Sequence, residues 1–114
     1  MAEIATRVPL SLDDIMSIAA GKQVNAAVEP VTIEIIEKTT ATEGRERYLL
    51  SADFRFQIDS ESYLVSIPYT MGEHDEPPEV ATAVRKIANS RLRRDCGRLH
   101  QAGIEMEPRY FEEV

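Results

Sequence analysis

The stretch YLLSADFRFQIDSESYLVSIPY, residues 48–69, decides the fold. Tyr48, Leu50, Ala52, Phe54, Phe56 and Ile58 recur at every second position. After Asp59-Ser60-Glu61-Ser62, Tyr63, Val65, Ile67 and Tyr69 resume the same period. Side chains two residues apart in an extended chain share a face, so both runs read as strands with one apolar side. The polar residues between them are turn formers, and a short link pairs consecutive strands antiparallel. Strands over about 46–58 and 63–70 therefore make a hairpin.

Upstream, Val31, Ile33 and Ile35 alternate with Thr32 and Glu34 after Pro30, which predicts a first strand over about 31–39. The segment Thr39 to Gly44 reads as a loop, and residues 22–30 as either a helical extension or an approach to the sheet. Ser11, with Asp14 three residues on, forms a capping-box start, and Leu10 and Ile15 stand where a hydrophobic staple places them. Leu12, Ile15, Met16 and Ala19 then keep helical spacing up to Gly21, giving a helix over about 12–20.

Downstream, the prolines and acids between Met71 and Glu79 mark a helix entrance. Val80, Val84, Ile87, Ala88, Leu92 and Leu99 form a stripe at period 3.6, predicting a helix over about 79–102 capped by Gly103. Gly97 inside it suggests a break or a close packing contact. The tail, 103–114, reads as a short edge strand or a surface segment. The order α-β-β-β-α in a single domain, 1–114, predicts an α+β two-layer sandwich. Its sheet is a three-stranded antiparallel meander with the helices packed on one face.

Composition narrows the function classes. The chain is 43% apolar and holds no run long enough to cross a bilayer. The segment from Met1 to Leu10 has no apolar leader region. Cys96 is the only cysteine, which excludes an internal disulfide and points to a reducing cytoplasm. The net charge of −7 is unevenly spread: residues 1–84 carry six basic and fifteen acidic side chains. Residues 85–98 carry Arg85, Lys86, Arg91, Arg93, Arg94 and Arg98 against Asp95 alone. An acidic molecule with one basic helix results.

In element order alone the chain resembles the double-stranded RNA-binding domain. In that family the second helix opens with lysines that reach phosphates. Here the same place holds Glu73-His74-Asp75-Glu76-Pro77-Pro78-Glu79, of opposite sign, which would repel a phosphate backbone. Farther along, Arg85, Lys86, Asn89 and Arg93 fall opposite the apolar stripe. With Arg94 they make a candidate contact for nucleic acid or an acidic partner. Arg91 and Arg98 fall at the stripe's edge, where carboxylates around 73–79 and 105–113 are expected to clamp them. Strong acidity also admits a polyanion mimic that occupies the basic groove of a nucleic-acid-handling partner.

Catalytic signatures are missing from the sequence: there is no glycine-rich phosphate loop, nucleophile elbow or paired-carboxylate pattern. The run from Glu73 to Glu76 lacks the spacing of a metal site. Cys96 stands beside Arg93 and Arg94, which would lower its pKa, yet no histidine base lies near it in sequence. The expectation is a protein without catalytic residues, cofactor or metal.

The sheet's second face carries the functional expectation. With Leu50, Phe54, Phe56, Val65 and Ile67 toward the helices, Leu49, Ser51, Asp53, Arg55 and Gln57 face outward, with Leu64, Ser66 and Pro68 on the third strand. Thr32, Glu34, Ile36 and Lys38 are expected outward on the first. Ile36, Leu49 and Leu64, with Arg55 and Pro68, make a candidate protein interface: an apolar centre with a charged rim. The first strand is also an open edge. The reading is a small acidic protein–protein interaction module: an adaptor, a chaperone-like factor or an assembly component, one of phage origin included. A homo-oligomer is compatible with it.

Overall fold

The computed structural model describes residues 10–37 and 45–112, apart from the side chains of residues 36, 37 and 45. The readings made on residues 1–9 and on the loop from Thr39 to Gly44 lie outside the described residues, as does Lys38. Five elements follow one another: α1 (Leu12–Ala19), β1 (Val24–Glu37), β2 (Arg45–Ile58), β3 (Glu61–Glu73) and α2 (Pro78–Gln101). β2 lies between β1 and β3 and is antiparallel to both. The fold is α+β with the expected α-β-β-β-α order.

α1 starts where its cap dictates. The Ser11 hydroxyl accepts from the Asp14 amide at 3.1 Å, and the Asp14 carboxylate accepts from the Ser11 amide at 3.1 Å. Two otherwise unpaired amides are thereby satisfied reciprocally. The helix buries Leu12, Ile15 and Ala19. They join Leu50, Phe54 and Phe56 from β2, and Ala88, Leu92 and Leu99 from α2, in one apolar cluster. α2 packs along β3 and β2.

β1 departs from expectation in extent and in facing. It begins at Val24, not at 31, and runs through Pro30 with no break in register. Pro30 is tolerated because β1 is an edge strand, where a missing N–H need not interrupt the ladder. Val24, Ala26 and Val28 stand opposite Ile58, Phe56 and Phe54, which fixes their face as the core face. Continuing at period two, that face passes through Pro30, Thr32 and Glu34 to the register position of Ile36, opposite Glu46. Val31, Ile33 and Ile35 therefore belong to the outer face, the reverse of the expected assignment.

β3 carries a second irregularity. Ser51 pairs with Pro68 and Leu50 with Thr70, so Tyr69 has no partner and forms a bulge. The extra residue lets Tyr69 and Thr70 both reach α2. The Tyr69 hydroxyl donates to Asp95 at 2.8 Å and the Thr70 hydroxyl to the Val84 carbonyl at 3.2 Å. It also turns Met71 to the outer face, opposite Leu49.

α2 is continuous through Gly97 and ends in a Schellman motif. The Ile104 amide donates to the Leu99 carbonyl at 2.9 Å and the Gly103 amide to the His100 carbonyl at 3.0 Å, with Gly103 at φ +90°. The buried arc is Ala88, Asn89, Leu92, Asp95 and Leu99, whereas Val80 and Ile87 of the expected stripe are exposed. Asn89 was expected in solvent. It is buried because the tail doubles back: its amide donates to the Phe111 carbonyl at 2.9 Å and accepts from the Phe111 amide at 2.8 Å. The tail is thus not an edge strand but lies along the surface, most of its described residues exposed. It seals the helix with Ile104 and Phe111, both buried.

Two glycines make a paired test. A Cβ on Gly72 would collide with the ring and hydroxyl of Tyr48, whereas one on Gly97 meets nothing within 4 Å. Gly72→Ala is expected to cost about 1–3 kcal/mol by overpacking. Gly97→Ala, in a helix interior, is expected to add about 1 kcal/mol. Urea denaturation of the two variants beside the parent reads both signs.

Candidate interaction surface

Pairing across the three strands builds the outer face row by row. Ile33, Leu49 and Met71 stand side by side in one row. Ile33 is 44% and Met71 49% exposed, high values for large apolar side chains. The neighbouring row is Val31, Ser51 and Pro68, with Ser51 buried between its neighbours. Beyond it come Glu29, Asp53 and Ser66, whose hydroxyl donates to Asp53 at 2.7 Å, and then Ala27, Arg55 and Leu64. On the other side lie Ile35, Arg47 and Glu73, with Arg47 and Glu73 paired at 3.9 Å. The face is an apolar centre two rows deep between charged rows.

Four of the five expected interface residues belong to this face. Leu49 and Pro68 sit in its apolar rows, while Arg55 and Leu64, opposite each other, lie two rows from Pro68 and three from Leu49. Arg55 and Leu64 line an open groove of about 480 Å³ with Asn25, Gln57 and Ser62. Ile36 has the other parity, and its place is taken by Val31, Ile33 and Ile35. Met71 was missed altogether. The available signal was the period Val24, Ala26, Val28, which predicts the outward turn of Val31 once Pro30 is read as part of the strand.

The basic helix face is less open than its sequence. Arg85 folds onto the sheet, its guanidinium 5.3 Å from the Tyr48 ring centre and donating to the Ala81 carbonyl at 3.2 Å. Arg93 lies over the Tyr110 ring at 5.1 Å, which puts an aromatic from the tail beside it. Arg94 stands 3.6 Å from Asp95. Lys86 is exposed. Arg91 donates to the Tyr69 carbonyl at 2.6 Å in place of the expected carboxylate, and Arg98 pairs with Asp13 of α1 and with Asp95 instead of the acids at 73–79 or 105–113.

A polar cluster closes the end of the sheet where α2 begins. Glu76 accepts from the buried Tyr48 hydroxyl and, at 3.1 Å, from the Glu73 amide; His74 pairs with Glu34. These contacts, with the His74 amide donating to the Glu46 carbonyl at 3.1 Å, hold residues 74–76 against β1 and β2. Among the described residues, no group of three or more His, Cys, Asp or Glu side chains is arranged to hold a metal ion.

Burial governs the titrating groups. It raises the pKa of Tyr48, with Glu76 adding to the shift, and that of Tyr69 further still, with Asp95 adding to it. It also raises that of Cys96, and Asp95 reinforces the effect, so the lowering expected from Arg93 and Arg94 does not occur. Both phenols stay protonated where an unfolded tyrosine, near 10.0, ionises. As pH rises past that value the unfolded chain loses protons that the fold retains. Stability should therefore be flat in this respect below about pH 10 and decline above it. Urea midpoints taken across that boundary check the sign, and Tyr48→Phe should shallow the decline.

No known protein family, curated protein or solved structure matches the chain. No helix of the described residues is long and apolar enough to cross a membrane.

Proposed function

We propose that the protein is a non-catalytic protein–protein interaction module, an adaptor or assembly component that docks through the outer face of its sheet. The observation that carries this reading is the row Ile33–Leu49–Met71, with Ile33 and Met71 exposed and Leu49 half-buried between them, on the face opposite the core. Large apolar side chains gathered across three strands cost solubility, and a polar rim around such a centre is the anatomy of an interface. Docking by the face is favoured over docking by the sheet edges, because both edge strands carry a proline, Pro30 and Pro68. Edge prolines withhold a donor from any added strand. A cytoplasmic setting fits the lone, half-buried Cys96.

A photo-crosslinking residue placed at position 71 tests the reading against one placed at position 86. The expected result is an adduct with one defined protein chain from position 71, abolished by Ile33→Asp. Adducts from position 86 alone, and to nucleic acid, would overturn it in favour of the basic helix.

A further inference from the structure

We infer that the partner of the outer face is a second copy of this chain, seated face to face about a two-fold axis that crosses β2 at Leu50. This rests on the proposed use of that face and names its occupant. The outward residues of β2 read Arg47, Leu49, Ser51, Asp53: a cation, a large apolar side chain, a small one and an anion. A two-fold perpendicular to the strands reverses this order over itself. Leu49 of each copy then lies over Ser51 of the other, a large half-buried side chain against a small buried one. Asp53 lies over Arg47, and symmetry makes every contact twice.

In the two central rows the flanking strands agree with this axis, and in the outer rows it sets Glu29 over Ile35 and Ser66 over Glu73. Val31 comes over Ile33 on β1 and Pro68 over Met71 on β3, so the two apolar rows cover each other without burying an acid beneath them. Moving the axis one residue toward Asp53, to Ser51, would instead press Glu29 and Asp53 onto Ile33 and Leu49, uncompensated. Arg47 already stands 3.9 Å from Glu73 and Asp53 accepts from Ser66, so both charges are oriented before docking. Size permits the arrangement too. About an axis at Leu50 residues 45–55 of β2 overlap, so three strands about 4.8 Å apart share about 34 Å of length and present roughly 500 Å² per copy. Two such faces approach the low end of stable interfaces, about 1,200 Å² in total.

Charge reversal with complementation tests the inference by sedimentation. The parent chain is expected to dimerise below about 0.5 mM, as an interface of this size allows. Asp53→Arg sets arginines against Arg47 twice, and Arg47→Glu sets glutamates against Asp53 twice. Each variant alone should associate at least about tenfold more weakly. Mixed in equal amounts, they should dimerise again as a heterodimer, because both contacts regain opposite signs. Thermal melts of the separate variants confirm that each is folded, and Lys86→Glu, off the face, should leave the dimer unchanged. A parent chain that stays monomeric, a dimer indifferent to Asp53→Arg, or variants that fail to complement would overturn the inference. A monomeric parent that still forms the position-71 adduct with a different protein would overturn the second copy and leave the interaction surface standing.

Discussion

Phe54→Ala is expected to remove about 3–5 kcal/mol of folding stability, a large part of what a domain of this size possesses. Phe54 is wholly inaccessible, lies near parallel to Phe56 with ring centres 6.4 Å apart, and pairs across the sheet with Val28 and Val65. Neighbours held in three strands cannot collapse into the vacated space, so the cavity cost adds to the lost transfer energy. Urea denaturation should show a lower midpoint at an unchanged slope. A loss below about 1 kcal/mol would mean that the ring is not enclosed, and the assignment of the core face would fail.

The second large effect is expected at Asn89. Its side chain pairs with both backbone groups of Phe111, as a neighbouring strand would. Asn89→Ala leaves a donor and an acceptor without their partner at a buried position. The tail must then either tolerate this or detach and rehydrate, which caps the cost at about 1–3 kcal/mol. Hydrogen exchange is the sensitive readout: the Phe111 amide should pass from protected to freely exchanging while β2 amides keep their protection. Asn89→Asp retains an acceptor for the Phe111 amide but opposes its carbonyl with a charge, and should also free the tail. Unchanged protection at Phe111 in both variants would contradict the latch.

Sequence reading succeeded where one local rule determined the outcome. β2, and β3 as far as Pro68, alternate because one side of them faces the core and the other does not, and α1 announces itself by its reciprocal cap. It failed where facing depends on a distant partner. Val31, Ile33 and Ile35 alternate as cleanly as a core strand, yet their side is set by Val28 opposite Phe54, a pairing that no local pattern reveals. Tyr69 is another case: the bulge that gives it Asp95 also turns Met71 outward. In α2 the buried arc includes Asn89, which periodicity puts opposite the apolar stripe, and Asp95, which lies within the stripe but is charged. Each is explained only by what meets it, the returning tail and the Tyr69 hydroxyl. The basic residues 85, 93 and 94 likewise looked like one strip because their partners, Tyr48, Tyr110 and Asp95, could not be seen from spacing.

The candidate surface depends above all on the register of β1 against β2. Side-chain NMR measures it directly, since facing residues in adjacent strands hold their Cβ atoms about 5 Å apart. Nuclear Overhauser contacts should join the methyl groups of Ile33 to those of Leu49, and those of Leu49 to Met71, with none from Ile33 to the Tyr48 or Phe54 rings. Contacts from Ile33 to those rings, with Thr32 beside Leu49, would put the apolar row inside the protein and contradict the proposed docking face.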